Sequence, residues 1–180
     1  MTRLEHINEI LRKHGTDKLY HNYGPVYATI PEDMHAMLEI GVYRGASLRA
    51  WLEIFPRAEI YGADHTKYDE ISDLLENPRI HFLQCWGMDV PIDSLPFLDL
   101  VVDDADHLPE REILTWERLR AKAGTYVIED LDIASARVVW DHVASAVPTA
   151  QILLWRTSEL CGDGLRLNNA SDSHCLMVRP

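Results

Sequence analysis

The feature that most constrains the fold is a repeated alternation, from residue 36 onwards, of short apolar runs with longer runs of helical periodicity. The apolar runs are typical of buried strands and lie at 36–40, 59–63, 80–84, 99–102 and 125–128. The helical patterns that alternate with them lie at 48–55, 68–76, 110–122 and 133–146. Two further strands, at 151–156 and 174–178, follow with no helix between them. We therefore expect an α/β protein with a doubly wound, mostly parallel, seven-stranded sheet that ends in a C-terminal antiparallel hairpin.

The segment before the first strand is predicted to be a helix followed by an aromatic loop. Apolar residues at 4, 7, 10 and 11 share one helical face, and Thr2 and Glu5 have the spacing of a capping box. The helix is expected to end near Gly15, and an ordered loop with a short helix is expected to follow up to residue 31. With no linker or repeat, residues 1–180 are predicted to form a single domain, in which 1–35 are the N-terminal helix and loop and 36–180 the core.

Composition disfavours several classes of function. The 180 residues carry 17 Lys and Arg against 29 Asp and Glu, and this net charge of −12 disfavours nucleic acid as a partner. No apolar stretch approaches the roughly 20 residues of a membrane span, and the N-terminus lacks the apolar core of a signal peptide, so a cytoplasmic protein is expected. Cys85, Cys161 and Cys175 form no C-x-x-C pair, which favours reduced thiols over a disulfide or a zinc site.

The turn after the first strand is rich in glycine and reads Glu39-Ile40-Gly41-Val42-Tyr43-Arg44-Gly45-Ala46-Ser47. In doubly wound sheets, ligands bind beyond the carboxyl ends of the strands. Gly41 and Gly45 allow a tight bend against a ligand, and Gly45 or Ser47 can start the next helix. A dinucleotide fingerprint would need glycine where Tyr43 stands, which disfavours NAD and FAD.

Acidic residues end the first two strands. The carboxylate of Glu39 suits a cationic amino group, and Asp64 can accept hydrogen bonds from both hydroxyls of a ribose. A ligand with an amino-acid part and a ribose satisfies both. The alternative is a glycine-rich turn that binds no ligand.

Two more acidic pairs follow the fourth and fifth strands. They are Asp103-Asp104 and Glu129-Asp130. Because neighbouring strands lie about 4.8 Å apart, these carboxylates can converge on a hard cation such as Mg²⁺. The alternative is that they are helix caps and solvated turn acids, which suits Asp132 best because it directly precedes a helix.

The residues of these strand ends and turns resemble a known family. Residues 38–64 resemble the class I S-adenosylmethionine-dependent methyltransferases, more narrowly the metal-dependent macrolide-sugar O-methyltransferases of the mycinamicin and macrocin type. Supporting matches are His14-Gly15-Thr16-Asp17-Lys18, Val102-Asp103-Asp104-Ala105-Asp106-His107 and Tyr126-Val127-Ile128-Glu129-Asp130-Leu131. The chain departs from the family at Gln84-Cys85-Trp86-Gly87-Met88-Asp89, where a Gly-Asp-Gln-like adenine region is usual, and it has about 35 residues where the macrolide enzymes carry an additional amino-terminal domain.

The resemblance implies a Rossmann-like methyltransferase sheet, S-adenosylmethionine and Mg²⁺ as cofactors, and a role for each candidate residue. Those implied to bind the cofactor are Glu39, Gly41, Gly45, Ser47, Asp64, Trp86, Gly87 and Tyr20. Those implied to bind the metal are Asp104, Glu129 and Asp130, and His107 is implied to be the general base. Tyr23 and Tyr27 can wall the methionine end of the cofactor, or pack against the sheet.

The function expected from this resemblance is Mg²⁺-dependent O-methylation of a hydroxylated small molecule such as a sugar or a glycosylated natural product. Two alternatives stay open. One is O-methylation of a catechol-like aromatic diol, and the other is a cofactor-binding interaction module without catalysis. A homo-oligomer is also left open, and no membrane partner is expected.

Overall fold

The strands and helices alternate along the chain as the apolar pattern predicts. The structure, a computed structural model, describes residues 1–156 and 174–179. The strands are β1 (Ala36–Ile40), β2 (Glu59–Asp64), β3 (Ile80–Gln84), β4 (Leu98–Asp103), β5 (Ala123–Leu131), β6 (Gln151–Arg156) and β7 (His174–Arg179). The α-helices are α1 (Arg3–His14), α2 (Gly24–Tyr27), α3 (Ala46–Ile54), α4 (Pro109–Leu119) and α5 (Ile133–Ala146).

The sheet has seven strands in the order β3-β2-β1-β4-β5-β7-β6. The first five strands pair in parallel, and β7 pairs antiparallel with both β5 and β6. This arrangement confirms the predicted fold class, including the antiparallel pair at one edge. The strand order reverses between β1 and β4, and this switch point is where α/β sheets bind ligands.

Helices cover both faces of the sheet because successive side chains of its inner strands are apolar. On one face, Trp51 and Leu48 of α3 pack with residues of α1 and with Met37 of β1. On the other face, Trp116 of α4 and Val139 of α5 pack with alternate residues of the same strands. Both layers are buried, and removal of their apolar surface from water stabilises the fold at about 25 cal/mol per Å².

The ends of the first and last α-helices follow the predicted capping chemistry. Thr2 and Glu5 form the capping box of α1, and Gly15 ends that helix in the left-handed conformation with φ of 67°. The carboxylate of Asp132 accepts a hydrogen bond from the Ser135 amide at 2.6 Å, which confirms Asp132 as the N-cap of α5.

One predicted helix and two predicted element ends are wrong. Residues 68–76 form two short 3₁₀ turns, Asp69–Ile71 and Leu74–Glu76, instead of an α-helix. Helix α4 ends at Leu119, and its last predicted turn is a 3₁₀ helix. Strand β5 does not end at Ile128 but continues to Leu131 through a shift in register against β7, because β7 provides backbone partners on that side.

Two further findings concern membrane spans and the cysteines. No helix in the described ranges is both long enough and apolar enough to cross a membrane. Cys85 and Cys175 are free thiols, and Cys161 lies outside the described residues.

Candidate active site at the carboxyl edge of the sheet

The candidate site lies at the carboxyl ends of β1 and β4, where the strand order reverses. The register places Ile40 beside Asp103, and the Asp104 amide donates to the Ile40 carbonyl at 2.9 Å. The turn after β1 therefore lies directly against the turn after β4.

The turn after β1 depends on glycine for a reason other than ligand approach. Gly41 has φ of 86°, and a Cβ added there would lie 1.9 Å from the Asp104 carbonyl oxygen. The close neighbour that forbids a side chain at this position is thus the backbone of the next turn. Gly45, with φ of 79°, is the N-cap of α3, and a Cβ there would meet the side chains of Leu74 and Ile71.

One cavity of about 90 Å³ contains four of the predicted cofactor residues. Its lining includes Gly41, Asp64, Trp86 and Gly87. The Asp64 carboxylate accepts hydrogen bonds from the Tyr43 amide at 2.9 Å and the Thr66 amide at 2.8 Å. These bonds use one lone pair on each oxygen and hold the group in place, so Oδ2 can still accept a ligand hydroxyl. Oδ1 also has the His65 Nδ1 atom at 3.3 Å, and it can accept a second hydroxyl when that nitrogen does not donate to it.

A second cavity of about 300 Å³ lies on the other side of Gly41. It is lined by Gly15–Asp17 from the N-terminal segment, by Gly41–Arg44, by Ala46 and Ser47 of α3, and by Asp104. Of the predicted residues, Gly41 lines both cavities and Ser47 lines the second one.

Glu39 lies beneath these cavities, fully buried, and lines neither of them. The Ser47 hydroxyl donates to its Oε2 at 2.7 Å, and the Lys18 ammonium lies 3.4 Å from its Oε1. Burial raises the pKa of Glu39, an effect that Lys18 opposes. The cation beside Glu39 in this structure is thus a lysine of the chain, while its Oε1 has no hydrogen-bond partner among the described residues.

Lys18 is the centre of a buried charge cluster. Its ammonium donates to Asp104 Oδ2 at 2.6 Å and to Glu129 Oε2 at 2.5 Å, in addition to its contact with Glu39. Burial alone would lower the pKa of Lys18, but the three carboxylates outweigh it and raise that pKa well above its usual range. One ammonium faces three carboxylates, so the cluster retains negative charge when all of them are ionised.

Three predicted residues converge at the outer side of this cluster. Ligand atoms of Asp104, His107 and Asp130 all lie within 4.8 Å of one another. Burial raises the pKa of Asp104, and Lys18 opposes that shift. Asp130 is held from below by the Tyr23 hydroxyl, which donates to its Oδ1 at 2.6 Å, and by His21 Nδ1 at 3.1 Å.

The backbone at this point is in an uncommon conformation. His107 has φ of 57° and Asp130 has φ of 55°, in the left-handed region that non-glycine residues rarely adopt. Each such conformation costs about 1 to 3 kcal/mol of folding free energy, and residues that adopt it concentrate at functional sites. The Nδ1 atom of His107 is buried and has no hydrogen-bond partner among the described residues.

Glu129 is not part of that convergence. It is fully buried, and its carboxylate is bound by Lys18 on one oxygen and by the Tyr27 hydroxyl on the other. Burial raises its pKa well above the ordinary value, and Lys18 opposes the shift. The predicted strand boundary at Ile128 would place Glu129 beyond the sheet edge, whereas the longer β5 keeps it inside.

The aromatic residues of the N-terminal loop divide into two groups. Tyr23 and Tyr27 are buried, with their hydroxyls on Asp130 and Glu129. Tyr20 is 54% exposed and lines neither cavity. The first two thus anchor the acidic strand end instead of walling a ligand.

Two residues of the site, Lys18 and Glu112, are not predicted from the sequence. The signal that could have found Lys18 is its place in the motif Gly15-Thr16-Asp17-Lys18. Glu112 is buried under Asp103, and it shares the inward face of α4 with Thr115, Trp116 and Leu119. An acidic residue within such an i, i+3, i+4, i+7 stripe is the signal that could have found it. Burial raises the pKa of Asp103 to about 7 and that of Glu112 well above its usual range.

The donor set fits the cofactors implied by the resemblance. Asp104 and Asp130 offer carboxylate oxygens, which a hard cation prefers, beside a cluster that is negatively charged when its three carboxylates are ionised. The fixed Asp64 carboxylate and the Gly41 turn line the same cavity and fit a ligand with hydroxyl groups. Glu39 is buried beneath them and reaches such a ligand only through Ser47 and Lys18.

Comparison with known proteins agrees with the fold and with the resemblance. No protein-family model matches the chain. It is 30% identical over 147 residues to 8-demethyl-8-(2-methoxy-alpha-L-rhamnosyl)-tetracenomycin-C 3'-O-methyltransferase of Streptomyces olivaceus, an alignment that spans 69% of this chain and 36% of that protein. It is 33% identical over 111 residues to mycinamicin VI 2''-O-methyltransferase of Micromonospora griseorubida, over 53% of this chain and 27% of the relative. The aligned part is thus about a third of each curated relative.

Solved structures show the same architecture. The MycE methyltransferase of the mycinamycin biosynthetic pathway, solved with Mg and SAH, superposes with a TM-score of 0.67 at 21% identity and covers 96% of this chain and 54% of that chain. The SAH-bound methyltransferase PaMTH1 of Podospora anserina gives a TM-score of 0.63 at 13% identity, over 99% of this chain and 88% of that chain. These comparisons confirm the resemblance: the chain has the fold of the S-adenosylmethionine-dependent methyltransferases and is similar in sequence to O-methyltransferases of the tetracenomycin and mycinamicin type.

Proposed function

We propose that this protein transfers a methyl group from S-adenosylmethionine to a hydroxyl of a small molecule, with a sugar of a glycosylated natural product as the acceptor. The observation that carries the proposal is the convergence of Asp104, His107 and Asp130 beside the glycine turn, in a fold shared with methyltransferases. The curated relatives are named as O-methyltransferases of a rhamnosyl tetracenomycin and of mycinamicin VI, which supports an acceptor of this class.

The cofactor is proposed to lie across the two cavities that meet at Gly41. Asp64 would accept hydrogen bonds from the ribose hydroxyls, with Trp86 and Gly87 at the adenine end. The methionine end would lie in the larger cavity against Ser47. Glu39 would act from beneath, through Ser47 and Lys18, and not as a direct lining residue.

Asp104 and Asp130 are proposed to hold Mg²⁺. When bound, this ion lowers the pKa of a coordinated hydroxyl and fixes its orientation. Lys18 and Tyr27 already bind both oxygens of Glu129, so Glu129 supports Asp104 from behind through the shared ammonium.

His107 is proposed to accept the proton that the acceptor hydroxyl loses as its oxygen attacks the methyl group. Its imidazole lies beside both aspartates, and its Nδ1 has no partner in the described part of the chain. Mg²⁺ prefers oxygen ligands, which leaves the imidazole for proton transfer. The remaining task of the protein is to align oxygen, methyl carbon and sulfur in one line.

Titration calorimetry with S-adenosylhomocysteine, with and without Mg²⁺, tests the cofactor directly. Incubation with isotopically labelled S-adenosylmethionine and a panel of glycosylated polyketides, free sugars and catechols then tests transfer, with product detected by mass. We expect label on a sugar hydroxyl and none without Mg²⁺. Absence of S-adenosylhomocysteine binding would overturn the proposal, and transfer to catechols alone would reassign the acceptor to the aromatic diols.

A further inference from the structure

A small cavity of about 20 Å³ adjoins the cavity that contains Asp64. The two share four lining residues, Trp86, Gly87, Ala105 and Asp106. The small cavity continues inward from this shared wall to Asp103 at the end of β4 and Glu112 on α4. It therefore lies at the deep end of the proposed adenosine site.

Glu112 is the side chain in this cavity with unmet hydrogen-bonding capacity. It is only 1% exposed, and the side chain that its carboxyl group contacts is the carboxyl group of Asp103, to which it directs its proton. Its other oxygen has no hydrogen-bond donor among the described residues. Asp103, which lines the same cavity, accepts a hydrogen bond from the Tyr126 hydroxyl at 2.9 Å. A buried polar group left unpaired costs folding free energy, so such an orphan indicates a missing partner.

The two other charged side chains at this cavity besides the Asp103–Glu112 pair, Arg111 and Asp106, are engaged with each other. The Arg111 guanidinium forms a salt bridge with Asp106 and lies 5.4 Å from the centre of the Trp86 ring. Close packing limits the remaining space, because a Cβ on Gly87 would lie 2.9 Å from the Ile40 Cγ2 atom. The group missing from the cavity is thus a hydrogen-bond donor directed at Glu112.

The size of the cavity restricts that donor. A space of about 20 Å³ has room for one water-sized group, since one such group needs about 10 to 15 Å³. An exocyclic amino group of a heterocyclic base is of that size and donates two hydrogen bonds.

We propose that Glu112 is a specificity-determining residue that accepts a hydrogen bond from the exocyclic amino group of the adenine of the cofactor. This inference depends on the proposed function, because it assumes that the adenosine part enters between Asp64 and Trp86. It assigns to this chain a purine-reading residue on α4, outside the turn after β3 where the family resemblance places the adenine region. A base with a carbonyl in place of the amino group would direct its oxygen, a hydrogen-bond acceptor, at the acceptor oxygen of Glu112, and it should bind less tightly.

The test compares two ligands on the same protein by titration calorimetry. One is S-adenosylhomocysteine, and the other is S-inosylhomocysteine, which has a carbonyl oxygen in place of the amino group and a proton on the neighbouring ring nitrogen N1. The wild-type protein is expected to bind the adenosyl compound at least about tenfold more tightly, the ratio expected for a hydrogen bond to a charged or buried group. This comparison needs no variant, so a folding defect cannot obscure it.

Two variants then assign the preference to Glu112. In Glu112→Gln the amide can accept from an amino group or donate to a carbonyl, and the ratio of affinities should fall to near one. Glu112→Leu should weaken the adenosyl compound more than the inosyl compound. Glu110→Gln, which changes an exposed residue of the same helix, is the matched control and should keep the wild-type ratio.

The outcomes separate this inference from the proposed function. Binding of neither ligand by the wild-type protein would overturn both. Equal affinity for the two ligands, or a wild-type ratio in Glu112→Gln, would overturn the role of Glu112 and leave cofactor binding in place; in that case a water molecule is the partner of the buried carboxyl group.

Discussion

Asp64 is the residue on which the position of the cofactor depends most directly. Its carboxylate is fixed by the amides of Tyr43 and Thr66 and borders the cavity that reaches Trp86. Asp64→Asn keeps an acceptor oxygen and the shape of the side chain but loses the charge. We expect it to lower the affinity for S-adenosylhomocysteine by at least about tenfold, since hydrogen bonds to charged groups contribute about 1.5 to 3 kcal/mol. Unchanged affinity in calorimetry would contradict the ribose contact, and the exposed Asp69→Asn is the control.

Asp130 and Asp104 differ in the charge of the protein groups that bind their carboxylates. Asp104 is paired with Lys18, whereas Asp130 is held by the neutral Tyr23 hydroxyl and by His21. Asp130→Asn should therefore abolish Mg²⁺-dependent transfer with little change in stability, while Asp104→Asn should also disturb the Lys18 cluster. Both should leave S-adenosylhomocysteine affinity within a few-fold. Full activity of either variant, or of the wild-type protein in EDTA, would exclude the metal site.

His107 has a strained backbone conformation, and its Nδ1 atom has no hydrogen-bond partner in residues 1–156 and 174–179. As a general base it should account for about 10² to 10⁴ in rate. His107→Ala is expected to lower turnover within that range while the binding of cofactor and of Mg²⁺ stays near wild type. The measurement is kcat against pH at saturating Mg²⁺, so that loss of metal at low pH does not imitate loss of the base. A variant with the wild-type rate from pH 6 to 9 would reduce His107 to a loop residue.

At the scale of elements, the site is built where the turn after β1 meets the turn after β4. Gly41→Ala would place a Cβ 1.9 Å from the Asp104 carbonyl oxygen at φ of 86°. The left-handed conformation alone costs about 1 to 2 kcal/mol, so with the clash we expect a loss of more than about 2 kcal/mol in the free energy of unfolding. Gly15→Ala is the matched control, because Gly15 also has positive φ, but no atom of the described part of the chain lies within 4 Å of the added Cβ. Urea unfolding of both variants measures the difference. Equal losses of unfolding free energy would show that the backbone conformation, and not the contact with Asp104, causes the destabilisation.

Strand β5 shows how the end of a strand decides which side chains can reach the proposed metal site. The apolar run ends at Ile128 and predicts that Glu129 and Asp130 leave the sheet together. In the structure the strand continues through a register shift to Leu131, so that Glu129 turns inward to Lys18 and Asp130 outward to His107. A bulge redirects one side chain relative to its neighbour, and it depends on pairing with β7, which is distant in sequence.

At the scale of the whole molecule, buried acids link stability to pH. Burial raises the pKa of Asp103 from its ordinary 3.8 to about 7. Between these values the unfolded carboxyl group releases its proton while the folded one keeps it, so this contribution is fully present below pH 3.8 and is lost as the pH rises towards 7. We expect the free energy of unfolding to fall over this range by up to about 1.4 kcal/mol per pH unit from such a group.

Asp103→Asn cannot ionise and should make the dependence shallower, while its amide oxygen can still accept from Tyr126. Urea midpoints from pH 4 to 7 in metal-free buffer provide the measurement, with Asp69→Asn as an exposed control. A slope for Asp103→Asn as steep as that of the wild-type protein would mean that Asp103 is ionised in the folded state.

The sequence by itself determines the alternation of strands and helices, the caps at Thr2 and Asp132, and the set of acidic residues at the strand ends. These depend on local periodicity and on hydrogen bonds within a few residues, which a linear pattern records directly. Only the tertiary structure decides that Lys18 lies against Glu129, 111 positions away, and that Glu112 lies buried at the cavity floor beside Asp103. Such contacts depend on strand order, register and the direction of each side chain, which the packing of distant segments fixes together.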